Sequence, residues 1–170
     1  RENEEVDGER VMDLSANPGR TGFRAGRILW VGKNETEIYE RCGRILLPKD
    51  YLCYKLTGEF ATEVSDASGM NLLDVPKRQW SQEVLDALEI DRGLLGRMYE
   101  SCEVTGEVTA EAAKLTGLRP GTPVAGGAGD NAAAAIGTGV VRPGRAFVTL
   151  GTAGVLFAHS DKVTIDPKGR

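Results

Sequence analysis

The sequence predicts a layered α/β or α+β fold, and three observations predict it. Strand-like and helix-like apolar runs alternate along the chain, Gly and Pro punctuate them at short intervals, and 41% hydrophobic with 27% charged residues is the balance of a globular protein. The 170 residues suffice for one ordinary domain or for parts of two. The formal net charge of -4 supplies no basic field to hold a nucleic-acid backbone, although a local group of amides and cations can still bind phosphate. No apolar run approaches the roughly 18 residues of a membrane-spanning helix. Residues 1–10 are mostly charged, unlike a signal peptide. The chain has no initial methionine and stops at Asp166-Pro167-Lys168-Gly169-Arg170, which predicts a segment of a longer protein.

Cys42, Cys53 and Cys102 are widely spaced and form no CxxC pair. Inert thiols in a reducing cytoplasm are expected, rather than a disulfide framework or a zinc cluster. The single histidine, His159, has no second histidine for a zinc site and reads as a turn residue before Ser160-Asp161. No metal site built from protein ligands is expected.

The elements follow from local signals. Residues 1–20 are polar, with a turn at Asn17-Pro18-Gly19. From Thr21, Phe23, Ile28, Leu29, Trp30 and Val31 cluster at helix-compatible spacings, and Thr36 reads as the N-cap of a second helix. Residues 44–47 are a strand candidate. Pro48 then opens a helix through Leu56 that Gly58 ends. Residues 60–64 read as extended, 65–69 as a loop and 70–75 as a strand. Ser81 caps a helix through Leu88, and Thr109 caps another that Gly117 ends. Asp66 reads as an Asx-turn residue, and Trp30 and Trp80 as core or rim packing in a helical context.

Two glycine turns carry the chemistry. Pro123-Val124-Ala125 is a strand entering Gly126-Gly127-Ala128-Gly129-Asp130, and Asn131 through Ile136 is an alanine-rich helix. Glycines admit positive φ and let a ligand approach the backbone. An acid at a helix start is favoured by the helix dipole, and Asp130 there could accept a hydroxyl proton or serve simply as an N-cap. Residues 127–132 also fit the dinucleotide fingerprint G-x-G-x-x-A, but the acid expected about 20 residues later is missing near Thr149-Leu150-Gly151-Thr152. The second turn, Gly151-Thr152-Ala153-Gly154, joins two strands, residues 146–150 and 155–158. Its amides and the Thr152 hydroxyl suit a phosphate, or form a plain hairpin tip. No Walker loop occurs.

Leu47-Pro48-Lys49-Asp50-Tyr51-Leu52, Leu56-Thr57-Gly58-Glu59-Phe60-Ala61-Thr62 and Ser65-Asp66-Ala67-Ser68-Gly69 resemble the xylulose kinase branch of the FGGY carbohydrate kinases. Gly127-Ala128-Gly129-Asp130-Asn131 and Leu150-Gly151-Thr152-Ala153-Gly154 follow in that family's order, so the resemblance covers residues 17–158. It implies an actin/hexokinase-like (ribonuclease H-like) ATPase fold of two domains. Residues 1–141 are then the later part of the sugar-binding N-terminal domain and residues 142–170 the beginning of the ATP-binding one.

The resemblance further implies phosphoryl transfer from ATP, with Mg²⁺, to a ketose hydroxyl, D-xylulose first, with ribulose, glycerol or gluconate as alternative acceptors and a non-catalytic fragment acting as a binding module as the other reading. Asp130 is then the catalytic base, Asp130 and Asn131 contact the sugar, and Gly151 and Thr152 touch the ATP phosphates. The implied partners are a small sugar and ATP, with no nucleic acid and no membrane; a homodimer is left open. Three positions depart from the family pattern: Ala128 for a usual glycine, Ala153 for a frequent serine, and Gly26-Arg27 for a frequent Pro-Lys. The family's N-terminal phosphate loop and its adenine pocket have no counterpart in these residues.

Overall fold

The computed structural model describes Ser15, residues 24–151 and residues 154–165. The polar stretch before Ser15, the Asn17-Pro18-Gly19 turn, Phe23 and Thr152 lie outside the described residues.

Helix α1 (Arg24–Asn34) buries Ala25 and Ile28, three residues apart on one face. Only Glu35 separates it from α2 (Thr36–Glu40). Thr36 is not the expected N-cap. Its Oγ1 donates back to the Gly32 carbonyl at 3.1 Å, which ties the start of α2 to the last turn of α1. The expected strand at 44–47 is reduced to one parallel bridge, Ile45 to Leu95. Helix α3 (Pro48–Thr57) begins with proline, whose missing N–H costs nothing there, and ends at Gly58 with φ +79°.

Strand β1 (Ala61–Glu63) is fully buried and leads directly into α4 (Val64–Ala67) and a 3-10 turn, Ser68–Met70. The expected loop at 65–69 is therefore helical. The cause is Glu63, whose carboxylate accepts the amides of Ser65 at 2.7 Å and Asp66 at 2.8 Å as an N-cap. Asp66 sits in the first turn of α4.

Strands β2 (Leu73–Asp74) and β3 (Gln79–Trp80) form a short antiparallel pair. Trp80 is therefore in a strand, not a helix; it is buried, and its indole Nε1 donates to the Gly96 carbonyl at 2.9 Å. Trp30 is 56% exposed and lies outside the core. Ser81 caps α5 (Gln82–Ala87) through the Val84 amide. After a 3-10 turn, Arg92–Leu94, comes β4 (Arg97–Tyr99), which pairs in parallel with β1 in the register Ala61 to Arg97.

Strand β5 (Val104–Glu107) pairs antiparallel with β6 (Pro123–Ala125) across α6 (Ala110–Thr116). That helix is capped by Thr109 and ended by Gly117, as its sequence predicts. Helix α7 (Asp130–Gly137) follows β6, and the hairpin of β7 (Ala146–Leu150) and β8 (Gly154–Ala158) closes the described chain.

The main core gathers Leu72, Leu85, Val84, Met70, Leu73 and Ala67 between α1, α4 and α5. A smaller cluster of Val108, Ala112 and Ala113 packs α6 onto Leu56 and Val124. The β7–β8 hairpin is different. Phe147 stacks on Phe157 with ring centroids 5.3 Å apart, while Val148, Leu150 and Leu156 are exposed.

Candidate functional site

The candidate site is the turn from β6 into α7. Gly126 is buried, and a Cβ added to it would lie 2.9 Å from the Glu100 carbonyl oxygen and 3.1 Å from the Glu63 Cβ. No larger residue fits without moving the backbone. Gly127 has φ +79°, the left-handed region that glycine occupies without strain. Gly129 is the N-cap of α7, and Asp130 is its first residue. Asp130 is exposed. Its Oδ1 accepts the Asn131 amide at 2.8 Å and the Asn131 side-chain Nδ2 at 3.3 Å. Both bonds fall on Oδ1, and Oδ2 points to no partner among the described residues.

Gly151 is exposed at the end of β7. Thr152, its expected companion, lies outside the described residues. Among the described residues there is no group of three or more His, Cys, Asp or Glu side chains able to hold a metal. None of their helices is long and apolar enough to cross a membrane.

Beneath the turn lies a polar network that the sequence reading does not single out. Lys49, near the start of α3, donates from Nζ to Asp50 Oδ1 at 2.7 Å and to the Gly126 carbonyl at 3.0 Å, and lies 3.7 Å from Glu63 Oε1. Burial alone lowers the Lys49 pKa; the Asp50 hydrogen bond and the charges of Asp50, Glu63 and Asp66 outweigh it and raise the pKa. Glu63 is wholly buried. Besides its two amide partners, it accepts the hydroxyls of Ser65 at 3.0 Å and Ser101 at 2.8 Å. The same Ser65 Oγ accepts the Gly129 amide at 3.0 Å, and the Gly127 amide donates to the Ser101 carbonyl at 3.0 Å.

Glu63 is not among the residue types that signal an N-cap, which are Ser, Thr, Asp and Asn, so its capping role carries no local sequence mark. Nothing local marks Lys49 or Ser101, because their partners are far along the chain.

Comparison with known proteins identifies the chain's relatives. Residues 2–137 match the model of the FGGY family of carbohydrate kinases, N-terminal domain. The chain is 43% identical over 163 residues to the xylulose kinase of Lactococcus lactis, covering 96% of this chain and 32% of that protein. It is 43% identical over 155 residues to the xylulose kinase of Escherichia coli, covering 91% and 32%. The crystal structure of xylulose kinase from Rhodospirillum rubrum superposes with a TM-score of 0.91 at 28% identity, covering 97% of this chain and 34% of that one. The chain therefore spans about a third of the length of the relatives it matches, and its fold is the actin/hexokinase-like fold of these sugar kinases. By the match along residues 2–137, this chain belongs to the FGGY family of carbohydrate kinases.

Proposed function

We propose that the chain is the part of an ATP-dependent sugar kinase that holds the acceptor hydroxyl, with D-xylulose as the acceptor and D-xylulose 5-phosphate as the product. The observation that carries the reading is the Asp130 carboxylate, exposed at the first position of α7 with Oδ1 engaged by Asn131 and Oδ2 without a partner among the described residues. In this family context such a carboxylate suits a base. Asn131 fixes the carboxylate plane, and Oδ2 takes the proton of the sugar hydroxyl as the oxygen attacks phosphorus. An aspartate is a weak base, and that suffices for phosphoryl transfer, where the transition state is loose and catalysis rests on positioning and charge stabilisation.

ATP with Mg²⁺ supplies the phosphoryl group. Within this chain the exposed Gly151 turn, with Thr152, is the candidate contact to the phosphates. The described residues offer no carboxylate cluster for the metal, so phosphate oxygens and residues elsewhere in the whole protein are its expected ligands. Residues 1–141 are assigned to the sugar-binding domain and residues 142–170 to the start of the ATP-binding domain, in a cytoplasmic enzyme.

The test is turnover of D-xylulose with ATP by the whole protein that carries this chain, compared with its Asp130→Asn variant. Loss of roughly 10²-fold or more in kcat is expected. Near-normal turnover by the variant rules out the base assignment.

A second reading follows from the chain spanning about a third of its relatives' length. The 170 residues alone then bind without turnover, and ATP-dependent phosphorylation by the purified chain excludes it.

A further inference from the structure

We propose that Glu63 is a positioning residue for Asp130, acting through two serines on the backbone of the glycine turn. The inference rests on the function proposed above for its kinetic arm, and on geometry alone for its structural arm.

Glu63 stands at a junction. It is wholly buried, yet both carboxylate oxygens are occupied: Oε1 by the Ser65 hydroxyl and the Asp66 amide, Oε2 by the Ser65 amide and the Ser101 hydroxyl. Lys49 Nζ at 3.7 Å supplies the compensating charge. A buried carboxylate with a cation and this many donors is held in one orientation, since any rotation breaks charge-assisted bonds in a poorly solvated setting.

From there the constraint passes outward. Donating its proton to Glu63 fixes the Ser65 hydroxyl, so that its lone pair faces the Gly129 amide, the residue immediately before Asp130. Fixing the Ser101 side chain holds the backbone whose carbonyl receives the Gly127 amide. Lys49 closes the third side by bonding the Gly126 carbonyl. Glu63 itself abuts the turn, for its Cβ occupies the space a side chain at Gly126 would need.

A function beyond N-capping α4 follows from this arrangement. Capping needs only the two amide bonds. The bonds to Ser65 Oγ and Ser101 Oγ lead instead to the turn that sets the Asp130 carboxylate, and a base must be placed to within about half an ångström to act. Glu63 does not touch the reacting atoms, so its loss should lower turnover through misplacement of Asp130, leaving the nucleotide's apparent affinity unaltered.

The experiment is Glu63→Gln, Glu63→Asp and Ser65→Ala in the whole protein, read by steady-state kinetics per folded molecule and by amide hydrogen exchange. Gln replaces one acceptor oxygen by a donor and removes the charge opposite Lys49; Asp keeps the charge. The expected result is a kcat about tenfold or more lower for Glu63→Gln with KM for ATP unchanged. Partial recovery in Glu63→Asp is expected too, together with faster exchange at the Gly127 and Gly129 amides. Ser65→Ala, which removes the hydroxyl that joins Glu63 to Gly129 and leaves the Ser101 branch in place, should speed exchange at Gly129 more than at Gly127, and it decides the matter should Glu63→Gln fail to fold.

Unchanged exchange at both glycines overturns the proposal whatever the activity. Faster exchange with unchanged kcat also overturns it, leaving Glu63 a purely structural anchor. If the unaltered protein phosphorylates no sugar, the proposed function falls, and the exchange at Gly127 and Gly129 then decides on its own whether Glu63 positions the turn.

Discussion

Lys49 Nζ hydrogen-bonds the carbonyl of Gly126, 77 residues away in sequence, at 3.0 Å. One cation thereby ties the start of α3 to the turn that precedes Asp130 while facing two buried carboxylates, Asp50 by a hydrogen bond and Glu63 at 3.7 Å. Lys49→Met should destabilise the protein by about 3 kcal/mol, because it strands two buried carboxylates without their partner. The pKa of Lys49 is raised above its ordinary 10.5. Its contribution is then full below that value and is lost as pH rises through the folded-state pKa. Urea unfolding of wild type and variant should show a constant difference from neutral pH to about 10 that shrinks above 10.5. A difference that does not change with pH would mean that the charge is unimportant.

Two glycines of the site region should respond oppositely to alanine. At Gly126 a methyl meets the Glu100 carbonyl and Glu63, so Gly126→Ala should cost about 1–3 kcal/mol and disturb Asp130. Gly137 closes α7 with open space around it, so Gly137→Ala should stabilise by about 0.5–1 kcal/mol. Thermal unfolding of the pair checks both signs.

The two tryptophans should separate by fluorescence. Trp80 is buried and bonded to the Gly96 carbonyl, while Trp30 is largely exposed. Trp80→Phe should shift the remaining emission to longer wavelength and cost about 1 kcal/mol for the lost hydrogen bond alone. Trp30→Phe should shift it to shorter wavelength with little effect on stability.

Arg78 pairs through two bonds with Glu100, Nε to Oε1 at 2.6 Å and Nη2 to Oε2. The Arg78 hydrogen bond, reinforced by its charge and opposed by slight burial, holds the Glu100 pKa below its ordinary 4.5. The pair is half-exposed and should contribute less than about 1 kcal/mol. That contribution is present above pH 4.5 and lost as pH falls through the folded-state value. The stability gap between wild type and Glu100→Gln should therefore close as pH falls below 4.5 in urea titrations.

What the sequence makes legible here is local capping chemistry. Pro48 and Gly58 bracket α3, and Ser81, Thr109 and Gly117 bound α5 and α6, because each signal and its partner lie within four residues. Thr36 misleads because a threonine hydroxyl can serve the preceding helix as well as the following one. Strands β3, β4 and β5 escape the reading. They are two to four residues long and acquire identity only from partners such as Ala61 for Arg97, so no alternation has room to appear. The site divides in the same way. Asp130 and Asn131 stand beside a glycine run before a helix and are visible. Lys49 bonds Gly126 across 77 residues, Ser65 bonds Gly129 across 64 and Ser101 bonds Glu63 across 38, and these links are not.

Those long spans govern the order in which the molecule assembles. During synthesis α3 and β1 emerge well before residues 101 and 129, so Glu63 waits with only its nearest neighbours for company. The entropy of closing such loops must be met before their bonds give anything back. The turn bearing Asp130 therefore locks after the capped helices have formed. A weakened clamp at Ser65 should then quicken unfolding and leave the folding rate nearly as it was.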